Sequence, residues 1–139
     1  MALHTTMLEF STQGDSDIID ITREVQEELL DSPLSEGLVT VFVPGSTGGV
    51  ITLEFEPGLV KDLEEAFERW APRDLAYEHD RAWRDGNGYA HVRASLVGPS
   101  LSIPFKERKL SLGTWQQIAF VDFDNRPRKR VLILQIMGE

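Results

Sequence analysis

Apolar residues recur along this chain with two different periods, and the changes between them mark out its elements. From about Leu3 to Thr12, Thr, Met, Leu and Phe roughly alternate before Gln13-Gly14-Asp15, which predicts a strand and a turn. From Asp17 the period becomes helical. Ile18, Ile21, Val25 and Leu29 share one face, Asp15 or Ser16 is placed to cap the first turn, and Ser32-Pro33 stops the helix. Gly37–Pro44 (GLVTVFVP) and Val50–Phe55 (VITLEF) are short β-branched runs, read as partner strands joined by Gly45-Ser46-Thr47-Gly48-Gly49. A second helix follows Pro57-Gly58, with Leu59, Leu63, Ala66, Phe67 and Trp70 on one face, and ends at Ala71-Pro72. The remainder predicts strands at Ala90–Val97, Ser100–Phe105, Leu110–Leu112, Trp115–Asp124 and Arg128–Met137, separated by turn residues. Asp74 to Gly88 is the one irregular stretch, about as long as a structureless loop becomes when it has a function.

This pattern over 139 residues predicts one α+β domain spanning 1–139, with β-sandwich-like antiparallel sheets and two helices. A hydrophobic share of 41% with 27% charged residues is that of a chain able to fold around a core. The net charge of −9 argues against non-specific binding to nucleic acid or anionic membrane, since both need a positive surface field. The short basic stretch Arg126–Arg130 reads as the polar start of an edge strand. With no cysteine, disulfides, thiolate catalysis and Cys-based zinc sites are excluded. No basic leader precedes an apolar stretch and no run approaches a membrane span, so the expectation is a cytoplasmic protein.

The chemistry concentrates between Tyr77 and His91. This segment holds His79, His91, Asp80, Asp85, Arg81 and Arg84, and Gly86 and Gly88 around Asn87 permit a tight turn that brings the carboxylates and imidazoles together. Two imidazoles and a carboxylate make a three-ligand divalent metal site; a solvated hairpin with an incidental histidine is the competing reading, and the residues alone leave both open. Glu54 interrupts an apolar strand, where an unpaired carboxylate must face either solvent or a site. His4 stands alone in its strand and reads as structural or surface. Gly45–Gly49 has backbone amides able to cradle an anion, but it lacks the Lys-Ser/Thr of a P-loop and precedes a strand, so a glycine-rich β-connection is preferred. Gly113-Thr114-Trp115-Gln116-Gln117 suits a binding wall or a buried corner equally.

Asp85-Gly86-Asn87-Gly88 through Phe105, with its SLVGPSLSIPF string, followed by LGTWQ at Leu112–Gln116, resembles the YjbQ family. The similarity extends over nearly the whole chain, including Val43-Pro44, the Glu54 strand, Glu56-Pro57-Gly58-Leu59, Tyr77-Glu78-His79-Asp80 and the closing strand to Gly138-Glu139. The resemblance implies a sandwich-like subunit with two helices, a homotrimer, and pockets near subunit boundaries whose histidines hold a divalent metal, Zn or Mg. It also implies a weak thiamine-phosphate synthase activity, joining an aminopyrimidine pyrophosphate to a thiazole phosphate with release of pyrophosphate. The alternative is a non-catalytic trimer that binds an anionic metabolite at a degenerate metal site.

Of the resembling pattern the chain keeps Glu54, His79, Asp80, Asp85, Asn87, His91, Ser95, Thr114, Trp115 and Gln116. It departs at Gly45, Arg84 and Tyr89, where relatives carry histidine. On this reading His79, His91, Glu54, Asp80 and Asp85 are the catalytic candidates, with His79 and His91 as metal ligands. Arg84, Asn87, Arg93, Ser95, Thr114, Trp115 and Gln116 bind a small phosphorylated metabolite. Guanidinium cannot ligate a cation but pairs well with phosphate, so Arg84 with Arg81 or Arg93 is expected to hold the anion, and Arg84→Ala to weaken it.

Overall fold

Two antiparallel sheets carry the fold in the computed structural model, which describes residues 1–139. The strands are β1 (Ala2–Thr12), β2 (Asp17–Asp20), β3 (Glu36–Phe42), β4 (Gly48–Leu53), β5 (Ser100–Lys106), β6 (Lys109–Leu110), β7 (Gln117–Asp122) and β8 (Arg128–Gly138). The helices are α1 (Thr22–Asp31), α2 (Pro57–Trp70), α3 (Glu78–Trp83) and α4 (Gly88–Val97). One sheet runs β1-β8-β3-β5-β6, the other β2-β7-β4. The architecture is the expected α+β arrangement, with four helices instead of two. No helix is long and apolar enough to cross a membrane.

Strand β7 organises the layers. Ile118 and Phe120 join Val39, Val41, Leu132, Leu134 and Ile136 in the core between the sheets, while Ala119, Val121 and Phe123 face Phe67 of α2 and Tyr89, Ala90 and Ala94 of α4. A strand covered on both faces needs apolar residues at every position, which is why IAFV shows no alternation. Strand β8 has only one covered face and alternates, with Leu132, Leu134 and Ile136 buried and Val131 and Met137 exposed.

Four local expectations are corrected. Asp17–Asp20 is strand β2, paired with Asp122 to Ala119, and the helix begins at Thr22, where Asp20 accepts from its backbone N–H and hydroxyl at 2.9 and 2.6 Å. The strands β3 and β4 are not partners: β3 lies between β5 and β8, and β4 pairs with β7 in the other sheet. The irregular stretch contains α3, closed by Arg84 in the left-handed region at φ 55°. Ala90–Val97 is helical, not extended. Its buried positions Tyr89, Ala90, Arg93 and Ala94 follow helical spacing, but the arginine among them hides the period.

Candidate functional site

The turn of α3 into α4 builds the histidine cluster. Asp80 Oδ1 accepts from the Gly88 N–H at 2.8 Å, and Asp85 Oδ1 accepts from the Asn87 N–H at 3.2 Å. A Cβ on Gly88 would stand 2.6 Å from Cβ of Tyr77 and 3.0 Å from Asp80 Oδ1, so glycine lets the two helices meet this closely. Asn87 is a buried brace: its Oδ1 accepts from the Asn125 N–H at 3.0 Å, and the Asn125 amide returns a bond to Asp85 O at 2.9 Å.

Within this frame His79 Nδ1 lies 3.7 Å from Asp85 Oδ1 and 3.9 Å from Asp80 Oδ1, and ligand atoms of these three residues all fall within 4.8 Å of one another. His91 stands outside that trio with its ring 4.1 Å from that of His79, tilted by 36°. Burial lowers the pKa of His91, the neighbouring His79 lowers it further, and Asp85, Asp124 and Asp80 oppose the shift without overcoming it. His79 Nδ1 is buried and makes no hydrogen bond. An orphaned imidazole nitrogen facing two fixed carboxylates is a donor set suited to a divalent cation.

A neighbouring cleft of about 280 Å³ is lined by His91, Ser95, Gly45, Ser46 and Gly48. Ser95 spends its hydroxyl proton on the His91 carbonyl, at 2.8 Å. Glu54, Thr114 and Trp115 line a different cleft of about 420 Å³ with Asp20 and Glu56. Gln116 borders a third, donating to Thr52 Oγ1 at 3.2 Å. Gly48 and Glu54 stand at opposite ends of β4, roughly 20 Å apart at about 3.3 Å per residue, so one chain does not bring Glu54 to the histidines.

The arginines divide. Arg84 is exposed, whereas Arg93 is 1% exposed and each of its guanidinium nitrogens donates a hydrogen bond. It donates to Ala71 O at 3.1 and 2.9 Å, to Ser16 Oγ at 3.0 Å and to Glu68 Oε2 at 2.7 Å, and it lies over the Tyr89 ring. The expectation that Arg93 binds substrate is corrected: it ties α4 to α2 and to the β1–β2 turn. Arg93→Ala should therefore lower the urea midpoint by an amount worth about 2 kcal/mol or more while leaving metal binding intact. A loss of metal binding with unchanged stability would contradict this assignment. Tyr89 also turns away from the histidines. Its hydroxyl donates to Asp15 Oδ1 at 3.0 Å, and burial first, then Asp15, pushes its pKa up to about 12.

Sequence reasoning missed a buried polar group behind the cleft. Arg130 pairs bidentately with Asp122 at 2.7 and 2.7 Å and donates to Thr47 Oγ1 at 2.8 Å, while the Thr47 hydroxyl donates to Asp124 Oδ2 at 3.0 Å. Acidic residues at the end of an apolar strand were the available signal, the same one that drew attention to Glu54.

The sequence and the fold both have known relatives. The family model described as UPF0047 protein YjbQ-like matches residues 6–139. A UPF0047 protein of Archaeoglobus fulgidus is 41% identical over 117 residues, covering 84% of this chain and 89% of that protein. The UPF0047 protein YugU of Bacillus subtilis is 35% identical over 132 residues, covering 94% and 97%. Among solved structures, a hypothetical protein of Aeropyrum pernix K1 superposes with a TM-score of 0.91 at 33% identity, covering 98% of this chain and 99% of that one. A YbjQ-like protein of unknown function from Sulfolobus solfataricus P2 gives 0.89 at 26% identity, covering 99% and 100%.

Proposed function

Since the chain belongs to the UPF0047 YjbQ-like family, we propose that it is a metal-dependent transferase acting on small phosphorylated metabolites, with a weak activity of the thiamine-phosphate synthase type. The observation that carries this reading is the orphaned His79 Nδ1 between Asp80 and Asp85. His79, Asp80 and Asp85 would hold Zn²⁺ or Mg²⁺, with His91 beside them as a fourth ligand or as an acid/base. Bound there, the cation supplies charge neutralisation for a departing pyrophosphate. Departure of that group from the aminopyrimidine leaves a resonance-stabilised carbocation, so neutralising the leaving group matters more than a strong base. His91, with its lowered pKa, is neutral near pH 7 and free to accept a proton. Neither Tyr89 nor Arg84 lines the cleft at His91, so these two of the three departures from the family pattern leave it open, and the third, Gly45, lines it.

A homotrimer is part of the same proposal. The outer face of the five-stranded sheet exposes Leu3, Met7, Leu38, Phe42, Val131 and Met137, and the register places Met137 opposite both Leu3 and Leu38 on that face. Such an apolar sheet surface favours a covering partner. The test joins native mass, metal content and pyrophosphate release from an aminopyrimidine pyrophosphate with a thiazole phosphate. A particle three times the 15.7 kDa chain mass, stoichiometric metal and metal-dependent release are expected. A metal-free protein that releases no pyrophosphate would move the reading to a non-catalytic anion-binding protein.

A further inference from the structure

The glycine-rich connection between β3 and β4 is unused by the metal reading, yet it borders the same cleft as His91. We propose that this loop and Arg130 form an anion subsite that takes the phosphate or pyrophosphate oxygens of the substrate. The proposal deepens the reading above and rests on it only in treating the anion as part of a substrate. The backbone N–H groups of Gly45, Ser46 and Thr47 donate to no acceptor in the chain, so three consecutive donors await water or a ligand.

The second observation is the state of Arg130. Its side chain is 8% exposed, and Nε and Nη2 serve Asp122 and Thr47. Nη1 makes no hydrogen bond and lies 3.4 Å from the point where a Cβ on Gly45 would stand. Gly45 has no positive φ that would demand glycine. A side chain there would instead cover Nη1, so the missing Cβ keeps a fixed guanidinium donor within reach of the loop.

Local charge agrees. The Asp122 carboxylate is bound by Arg130 and Thr12, and Asp124 is bound by Thr47 with Arg128 and Arg126 at 3.5 and 3.9 Å. Three guanidinium groups thus stand against these two carboxylates, while Asp80 and Asp85 lie with His79. An oxyanion on the loop would border the cleft that His91 also lines, and the His91 ring lies 4.1 Å from that of His79.

Inorganic pyrophosphate titrated into the ¹⁵N-labelled protein in EDTA tests the subsite without a metal. Saturable shifts of the Gly45, Ser46 and Thr47 amides are expected. Because Arg130 also supports the core, the variant of choice is Gly45→Asp, which sets a carboxylate against Nη1. It should weaken pyrophosphate binding by about tenfold or more without lowering the melting temperature. Unmoved loop amides, wild-type affinity in Gly45→Asp, or loss of binding confined to Arg84→Ala would each overturn the assignment. Metal titration without pyrophosphate reads the histidine cluster separately, so either reading can fail alone.

Discussion

Asp122→Ala should cost the fold about 3–5 kcal/mol, the largest stability loss expected of a single substitution here, because it strands the Arg130 guanidinium in the core. Asp122 is fully buried, accepts two bonds from Arg130 and one from Thr12, and receives the Asp124 N–H at 3.0 Å. Burial alone would raise its pKa, but the bonds from Arg130 and Thr12, the Arg130 charge and the Asp124 amide outweigh burial and hold it below the ordinary carboxylate value. The native state therefore binds this proton less readily than the unfolded chain does. The stabilisation is complete above the unfolded carboxylate range near pH 4 and disappears as pH falls through the lower native value. Urea unfolding of the wild type and of Asp122→Ala should converge in acid. The double variant Asp122→Leu, Arg130→Met should recover much of the loss, since a buried pair replaced by apolar groups leaves no orphaned charge. A single variant as stable as the wild type would show that the pair lies outside the folding core.

That pair also explains where sequence reading succeeded and failed. Helix α2 was legible because its apolar face keeps an uninterrupted period and Pro57-Gly58 marks its start. Helix α4 was not, because Arg93 occupies a core position and carries its own hydrogen-bond partners from distant segments, which no local pattern reveals. The pairing of β4 with β7 is equally non-local: VITLEF offers no sign that its neighbour is IAFVD, sixty-odd residues along the chain, in preference to the adjacent GLVTVFVP. In the site, the density of His79, Asp80, Asp85 and His91 was visible because one turn supplies all four. The Thr47, Asp122, Asp124 and Arg130 network was not, since three separate segments contribute to it and each contribution alone looks like a strand end.

His79→Ala should reduce divalent-metal affinity by about 100-fold or more, since it deletes the one imidazole among three close ligands and leaves two carboxylates already receiving backbone bonds. The same substitution has a signature in the metal-free protein. In the wild type, burial and then the adjacent His79 ring hold the His91 pKa below the ordinary value near 6.5, against the pull of Asp85, Asp124 and Asp80. Because the shift is downward, protonating His91 disfavours the fold, and its contribution to stability is present above about pH 6.5 and lost as pH falls through the native value. Removing His79 takes away one depressing charge and opens the ring to water, so the His91 midpoint should move upward. Proton NMR of the imidazole C–H signals measures that midpoint, and metal titration measures the affinity. Both changes together mean that His79 is the ligand and the electrostatic neighbour that the geometry describes. A raised His91 midpoint with metal affinity intact would instead leave the pair as a proton-binding device and transfer cation binding to the carboxylates alone.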